Sequence, residues 1–331
     1  MFYIIHGEDE FSRAEQVAAF KEKIGDETVR DFNVTALDGR KVTLAELRYA
    51  ADTMPFLADK RLVVVDGLLT RLSAGRSKGS DDAEPSGSAK EFTASLIEYL
   101  PNLPESTRLV FVEAKTLPAS NPILKLAAAQ SGRAVLTFEL PKNSAAWIEK
   151  RAQKYGGEID RKAAAKLAGL IGADLRRLDS EIQKLVTYVN AARPIREDDV
   201  TLLVSASIEA NVFDLVDALG RRDGKRAMRE LHRLLELGEN ALGLLAMITR
   251  QFRLMLQVKE LQEKNLSAPE MAKVLGQHPF VMEKIGQQAR NFSIEQLERI
   301  YTHLLDIDVG IKTGEMSDVL ALDVLVAELA G

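Results

Sequence analysis

The opening of the chain, Phe2-Tyr3-Ile4-Ile5-His6-Gly7-Glu8-Asp9-Glu10-Phe11-Ser12-Arg13-Ala14, has the layout of a phosphate-binding loop without its chemistry. An apolar strand runs into Gly7 and a short turn follows. Ser12-Arg13-Ala14-Glu15 then reads as the capping-box start of a helix with apolar positions at Phe11, Ala14, Val17, Ala18 and Ile24. On the pattern G-x-x-x-x-G-K-[ST], Gly7 matches the first glycine. Ser12, Arg13 and Ala14 stand where the second glycine, the lysine and the magnesium-binding hydroxyl belong. Glu8, Asp9 and Glu10 occupy the place of a triphosphate, and each like-charge pair at about 5 Å costs roughly 3 kcal/mol at an effective dielectric near 20. These residues alone leave two readings open: a degenerate nucleotide site, or an acidic turn with no such ancestry.

Two further segments carry residues of possible function. Arg61-Leu62-Val63-Val64-Val65-Asp66-Gly67 is a buried-strand run ending in a carboxylate, the place where a nucleotide-hydrolysing sheet holds its magnesium-binding acid. The next residue is Gly67 and not a glutamate, so no adjacent base can polarise water, and Asp66 reads better as a strand-end cap. Met54-Pro55-Phe56-Leu57-Ala58-Asp59-Lys60-Arg61 places three large apolar side chains in a loop, behind a proline that stops the preceding helix. Phe56 and Leu57 either tuck back into the domain core or form a hydrophobic plug for a partner's pocket. In the second case their burial yields roughly 3–6 kcal/mol gross.

The elements that must position these residues follow from the hydrophobic pattern. Strands are expected at Phe2–Ile5, Phe32–Leu37, Leu62–Val65, Leu109–Val112 and Val135–Phe138, alternating with helical patterns, which implies a mainly parallel sheet covered by helices over residues 1–140. Residues 73–88, rich in Gly, Ser, Asp and Pro, read as a flexible surface insertion. From Ser144 onward the pattern is helical: a small three-helix unit at about 144–155, 160–170 and 174–189, then longer amphipathic helices that form a bundle of roughly 120 residues. Ser267-x-x-Glu270 and Ser293-x-x-Gln296 mark helix starts, and Gly310-Ile311-Lys312-Thr313-Gly314 reads as a loop before the last helix. Arg176 and Arg177 read as a solvated basic face.

Composition narrows the function classes. The 331 residues, 46% hydrophobic and 28% charged, suffice for two or three domains with their own cores. A net charge of −5 argues against stand-alone DNA binding, and the absence of cysteine removes disulfides and thiolate zinc sites. His6, His232, His278 and His303 are scattered without metal-ligand spacing, so no metal is expected. No catalytic triad or paired-carboxylate pattern is present, and neither a membrane span nor a secretion signal is seen, so a cytoplasmic location is expected.

Taken together, the chain resembles the delta-subunit family of the bacterial DNA polymerase III clamp loader. The likeness rests on Tyr3 to Phe11, on Met54 to Arg61 before Leu62-Val63-Val64-Val65-Asp66, and on Gly172-x-Asp174-Leu175-Arg176. Near the end it rests on His278-Pro279-Phe280-Val281, Ala289-Arg290 and Ile311-Lys312-x-Gly314. The resemblance implies an α/β plus all-α protein in three parts: an AAA+-like, RecA-type parallel sheet domain (1–140), a small three-helix lid (141–208) and a C-terminal helical collar (209–331). It implies a non-catalytic subunit of the DNA-directed DNA polymerase holoenzyme, without cofactor, that binds the sliding clamp and helps open the ring for loading onto primed DNA. Met54, Phe56 and Leu57 are then the clamp-contacting positions. Gly7, Glu8, Asp9, Ser12, Arg13 and Asp66 become an empty, degenerate nucleotide site. Implied partners are the clamp, the motor subunits and delta-prime through the collar, and primer-template DNA as part of the assembly. The competing readings are an ATPase with an aberrant loop and a helical adaptor. A delta-prime-type chain is expected to carry a zinc-binding cysteine cluster, which a cysteine-free sequence lacks.

Overall fold

The computed structural model describes residues 1–74, 86–130, 134–141, 143–277 and 279–330. Most of the expected insertion, residues 75–85, therefore lies outside the described residues, as does His278. The chain divides into two compact units, Met1–Pro141 and Lys142–Gly331.

In the first unit, β1 (Phe2–His6), β2 (Val34–Asp38), β3 (Arg61–Asp66), β4 (Thr107–Glu113) and β5 (Val135–Thr137) pair in parallel in the order β2-β3-β4-β1-β5. Strand alternation sorts their side chains onto two covered faces. Phe2, Ile4, Val63, Val65, Leu109 and Phe111 meet α3 (Leu44–Asp52), α4 (Leu68–Ala74), α5 (Ser86–Tyr99) and α6 (Pro122–Gln130) through Leu47, Leu68, Leu96 and Ile123. Ile5, Leu62, Val110 and Val112 meet Val17 and Phe20 of α1 (Glu10–Glu22). Each fully buried Ile, Leu, Val or Phe contributes roughly 1.5–3 kcal/mol, so this sheet is a rigid base for whatever its edges carry.

Several boundaries differ from the sequence expectations by a residue or two, and some of the differences have a visible cause. Helix α1 begins at Glu10 and not at Ser12, because the Asp9 carboxylate accepts the Ser12 N–H at 2.8 Å and so serves as the N-cap. Phe32 and Asn33 do not open β2. They close a helix, α2 (Glu27–Asn33), capped by Asp26, whose carboxylate accepts the Val29 N–H. Phe138 lies just beyond β5, its N–H bonded to the His6 carbonyl.

The second unit is helical. Its first helices are α7 (Ser144–Lys154), α8 (Arg161–Ile171), α9 (Leu175–Val189) and α10 (Glu197–Leu203). Helix α9 buries Leu175, Leu178, Ile182, Leu185, Val186 and Val189, one stripe at the 3.6-residue period. Arg176 is exposed, as expected of a solvated face, while Arg177 is half-buried and its guanidinium also donates to the Ser205 and Ala206 carbonyls. Then follow α11 (Ile208–Gly220), α12 (Gly224–Glu236), α13 (Ala241–Glu263), α14 (Ala268–Leu275), α15 (Pro279–Ala289), α16 (Ile294–Lys312) and α17 (Asp318–Ala330). Their common core includes Leu215, Leu231, Ile248, Phe252, Met255, Leu304 and Leu325. Ser293 and Gln296 form the reciprocal cap expected of α16, and Ser267 donates from its N–H and hydroxyl to Glu270. Gly310 to Lys312 are helical and not a loop, so the turn to α17 is shorter than expected, with Gly314 at φ +78°.

Candidate functional site

In a parallel sheet all strands point the same way, so the residues singled out by sequence fall on opposite edges. Gly7, Glu8, Asp9, Ser12 and Arg13 lie just past the C-terminal end of β1, and Asp66 ends β3 on that same edge, with β4 between them. Two strand spacings make this about 10 Å. Met54, Phe56 and Leu57 precede β3 and sit at its N-terminal end, one strand length away, or about 17–20 Å.

At the C-terminal edge several of the backbone donors that would cradle a phosphate are already engaged. Gly7 N–H bonds to Glu113 O at 3.2 Å, Asp9 N–H bonds to Phe138 O at 3.0 Å, and Ser12 N–H is held by the Asp9 carboxylate. Gly7 adopts φ +126°, and a Cβ there would stand 2.0 Å from the Phe138 carbonyl oxygen. The glycine is thus required by the close approach of the Phe138 backbone just past β5, with no ligand needed to explain it. The buried Asp9 puts negative charge at the N-terminus of α1, where a bound phosphate would sit. Arg13 is buried, and its Nε finds no hydrogen-bond partner in the described structure.

Two neighbours on this edge have pKa values shifted by burial. His6 is buried: Nδ1 accepts the Leu117 N–H at 3.1 Å and Nε2 stands 3.0 Å from the Thr137 hydroxyl, and burial lowers the imidazole pKa. The tautomer that satisfies both contacts is neutral, with the proton on Nε2. Glu113, fully buried, accepts from the Leu69 and Thr70 N–H groups at 2.7 and 3.0 Å and from the Thr70 hydroxyl at 2.5 Å. Burial raises its pKa against those hydrogen bonds. Its role is visible in that geometry: it caps the N-terminus of α4.

At the other edge the apolar loop is outside the core. Met54 is 82% exposed, Phe56 56% and Leu57 80%. The tucked-in reading of Phe56 and Leu57 is therefore excluded. The loop is nonetheless held at several points. Thr53 ends α3, its N–H and hydroxyl both donating to the Tyr49 carbonyl. Lys60 Nζ donates to Glu105 O at 3.0 Å, and Arg61 N–H bonds to Ser106 O at 2.8 Å. The Phe56 ring lies 5.4 Å from that of Phe32, itself exposed, so the patch extends onto α2. Leu57 has φ +50°, a left-handed conformation that costs an L-residue about 1–2 kcal/mol. Exposed Tyr49 on α3 adds to the apolar surface of this region.

Sequence reasoning missed Asn33, Phe32, Glu113 and Tyr49. The hydrophobic pattern places Phe32 and Asn33 in a strand, and Glu113 ends an apolar run one residue past the expected strand end. Nothing local in the sequence links Asn33 to a loop more than twenty positions away.

The family model described as "DNA polymerase III, delta subunit" matches residues 3–133, and that described as "DNA polymerase III delta subunit, C-terminal domain" matches residues 209–329. The chain belongs to the DNA polymerase III delta-subunit family. A DNA polymerase III subunit delta of Bacillus subtilis is 28% identical over 330 residues, covering 99% of this chain and 92% of the relative. A relative from Aquifex aeolicus is 24% identical over 315 residues, covering 94% of this chain and 85% of its own length. The solved structure of a Bacillus subtilis DNA clamp loader delta protein superposes with a TM-score of 0.85 at 26% identity, over 99% of this chain and 95% of that one. The parallel-sheet-plus-helices architecture is accordingly that of a clamp-loader delta protein, which places this delta-family chain in DNA replication. Among its described residues no helix is long and apolar enough to cross a membrane.

Proposed function

We infer that this chain binds a sliding clamp through Met54, Phe56 and Leu57 and helps to open the ring for loading onto primed DNA, while ATP is bound and hydrolysed by neighbouring motor subunits. The observation that carries this reading is the loop itself: three large apolar side chains held exposed at one edge of a rigid sheet. An exposed apolar cluster with an ordered backbone has already met much of the entropy cost of docking. Transfer of Phe56 and Leu57 into a pocket then yields roughly 3–6 kcal/mol gross, reduced by the area of Phe56 already covered. The non-catalytic half of the reading is supported by the engaged donors around Gly7 and by Asp9 at the head of α1. Asp66 ends its strand with Gly67, not a second acid, beside it. In this reading residues 141–208 form a lid and 209–331 a collar that joins the motor subunits and delta-prime, and primer-template DNA is met only within that cytoplasmic assembly.

Mixing the chain with its sliding clamp without nucleotide tests both halves. A complex is expected to elute on size exclusion in the absence of ATP, and equilibrium dialysis with ATP is expected to show no micromolar binding. Micromolar ATP binding by the chain alone would overturn the empty-site assignment.

A further inference from the structure

Asn33 closes α2 with its side chain fully buried. Its Nδ2 donates to the Val29 carbonyl of its own last turn at 2.8 Å and to the Phe56 carbonyl at 2.7 Å, while its Oδ1 accepts the Phe56 N–H at 2.7 Å. Phe56 thus meets the planar amide much as it would meet a neighbouring strand, giving and receiving one hydrogen bond. The two peptide groups that flank Phe56 are held by a single rigid group, which is itself tied to a helix packed at the sheet edge. The second of those peptide groups contains the nitrogen of Leu57, whose φ of +50° would otherwise relax toward the extended region. The residue before the clasp, Phe32, sets its ring against Phe56, so one dipeptide engages both the backbone and the side chain of the loop. Asparagine suits this position: aspartate lacks the donor for the Phe56 carbonyl, and glutamine lengthens a side chain that is fully buried.

Building on the clamp-binding reading, we propose that Asn33 is a positioning residue for the sliding clamp, its side-chain amide locking the Phe56 backbone so that Phe56 and Leu57 are presented in the docking conformation before the partner arrives. Preorganisation of this kind raises affinity by removing the ordering cost at the moment of binding. A residue that only supported the fold would move the whole unit and not one amide.

The test uses the full chain, unmodified and as Asn33→Leu and Phe56→Ala/Leu57→Ala, with site-resolved amide exchange by NMR and titration of the sliding clamp. In the unmodified chain the Phe56 amide is expected to exchange far below its intrinsic rate. In Asn33→Leu that protection disappears while the β4 amides from Leu109 to Val112 keep theirs, and clamp affinity falls roughly tenfold. Intrinsic-rate exchange at Phe56 in the unmodified chain would overturn the proposal. Unchanged clamp affinity in Asn33→Leu, or loss of β4 protection together with the loop, would overturn it equally. Unchanged affinity in Phe56→Ala/Leu57→Ala is a different result, because it removes the clamp reading itself and leaves the Phe56 amide measurement intact.

Discussion

Leu57 is where the loop's stability and its proposed use pull apart. An exposed leucine in the left-handed region contributes little to the fold and carries a conformational cost, so its persistence is a loss to the free chain. Leu57→Asn keeps a residue tolerant of that backbone and removes the apolar side chain. It is expected to leave stability to urea unchanged or raise it by up to about 1 kcal/mol while lowering clamp affinity. A lower urea midpoint would contradict the placement of Leu57 outside the core. His6 gives a pH prediction at the same scale. Its folded pKa lies below the ordinary 6.5 because the ring is buried. As pH falls below that value, the unfolded chain takes up a proton that the folded chain still refuses. The stabilisation is therefore complete above about pH 6.5 and is lost as pH falls through the lowered folded value. Urea melts at roughly pH 7 and pH 5.5 should show a larger loss for the unmodified chain than for His6→Gln, and equal losses would contradict a buried neutral imidazole.

Among the elements, α4 depends on the Glu113 carboxylate at the end of β4. Glu113→Ala leaves the Leu69 and Thr70 N–H groups without their acceptor inside the protein and is expected to cost about 1–3 kcal/mol, measured as a lowered urea midpoint with selective loss of protection in α4. The five strands were legible in the sequence because each is a short run of β-branched, aliphatic and aromatic residues between turn residues, and the helices of the second unit because their apolar positions recur at 3.6 residues. The boundaries were less so. Asp9 outcompeted Ser12 as the cap of α1, and a two-residue alternation at Phe32-Asn33-Val34 hid the end of a helix. Met54, Phe56 and Leu57 were legible as large apolar side chains in a loop, whereas the pattern left open whether Phe56 and Leu57 tuck into the core, because exposure depends on how the loop sits on the folded sheet. The clasp that holds them was not legible, because a hydrogen bond between residues 33 and 56 is a product of the sheet bringing β2 beside β3.

For the whole molecule, topology assigns the sheet's two edges to different fates. At the C-terminal edge, where α/β proteins bind nucleotides, the N–H groups of Gly7, Asp9 and Ser12 are engaged by Glu113, Phe138 and Asp9, and the N-terminal edge displays the apolar loop. A partner docked on the loop therefore has no need to compete with anything at Gly7. If Phe56 and Leu57 carry the proposed contact with the clamp, calorimetric titration of the sliding clamp with the full chain and with Phe56→Ala/Leu57→Ala will show it. Loss of roughly 3–6 kcal/mol of gross burial predicts a fall in affinity of at least about a hundredfold at unchanged urea stability, because neither side chain belongs to the core. Affinity equal to that of the unmodified chain would contradict the account.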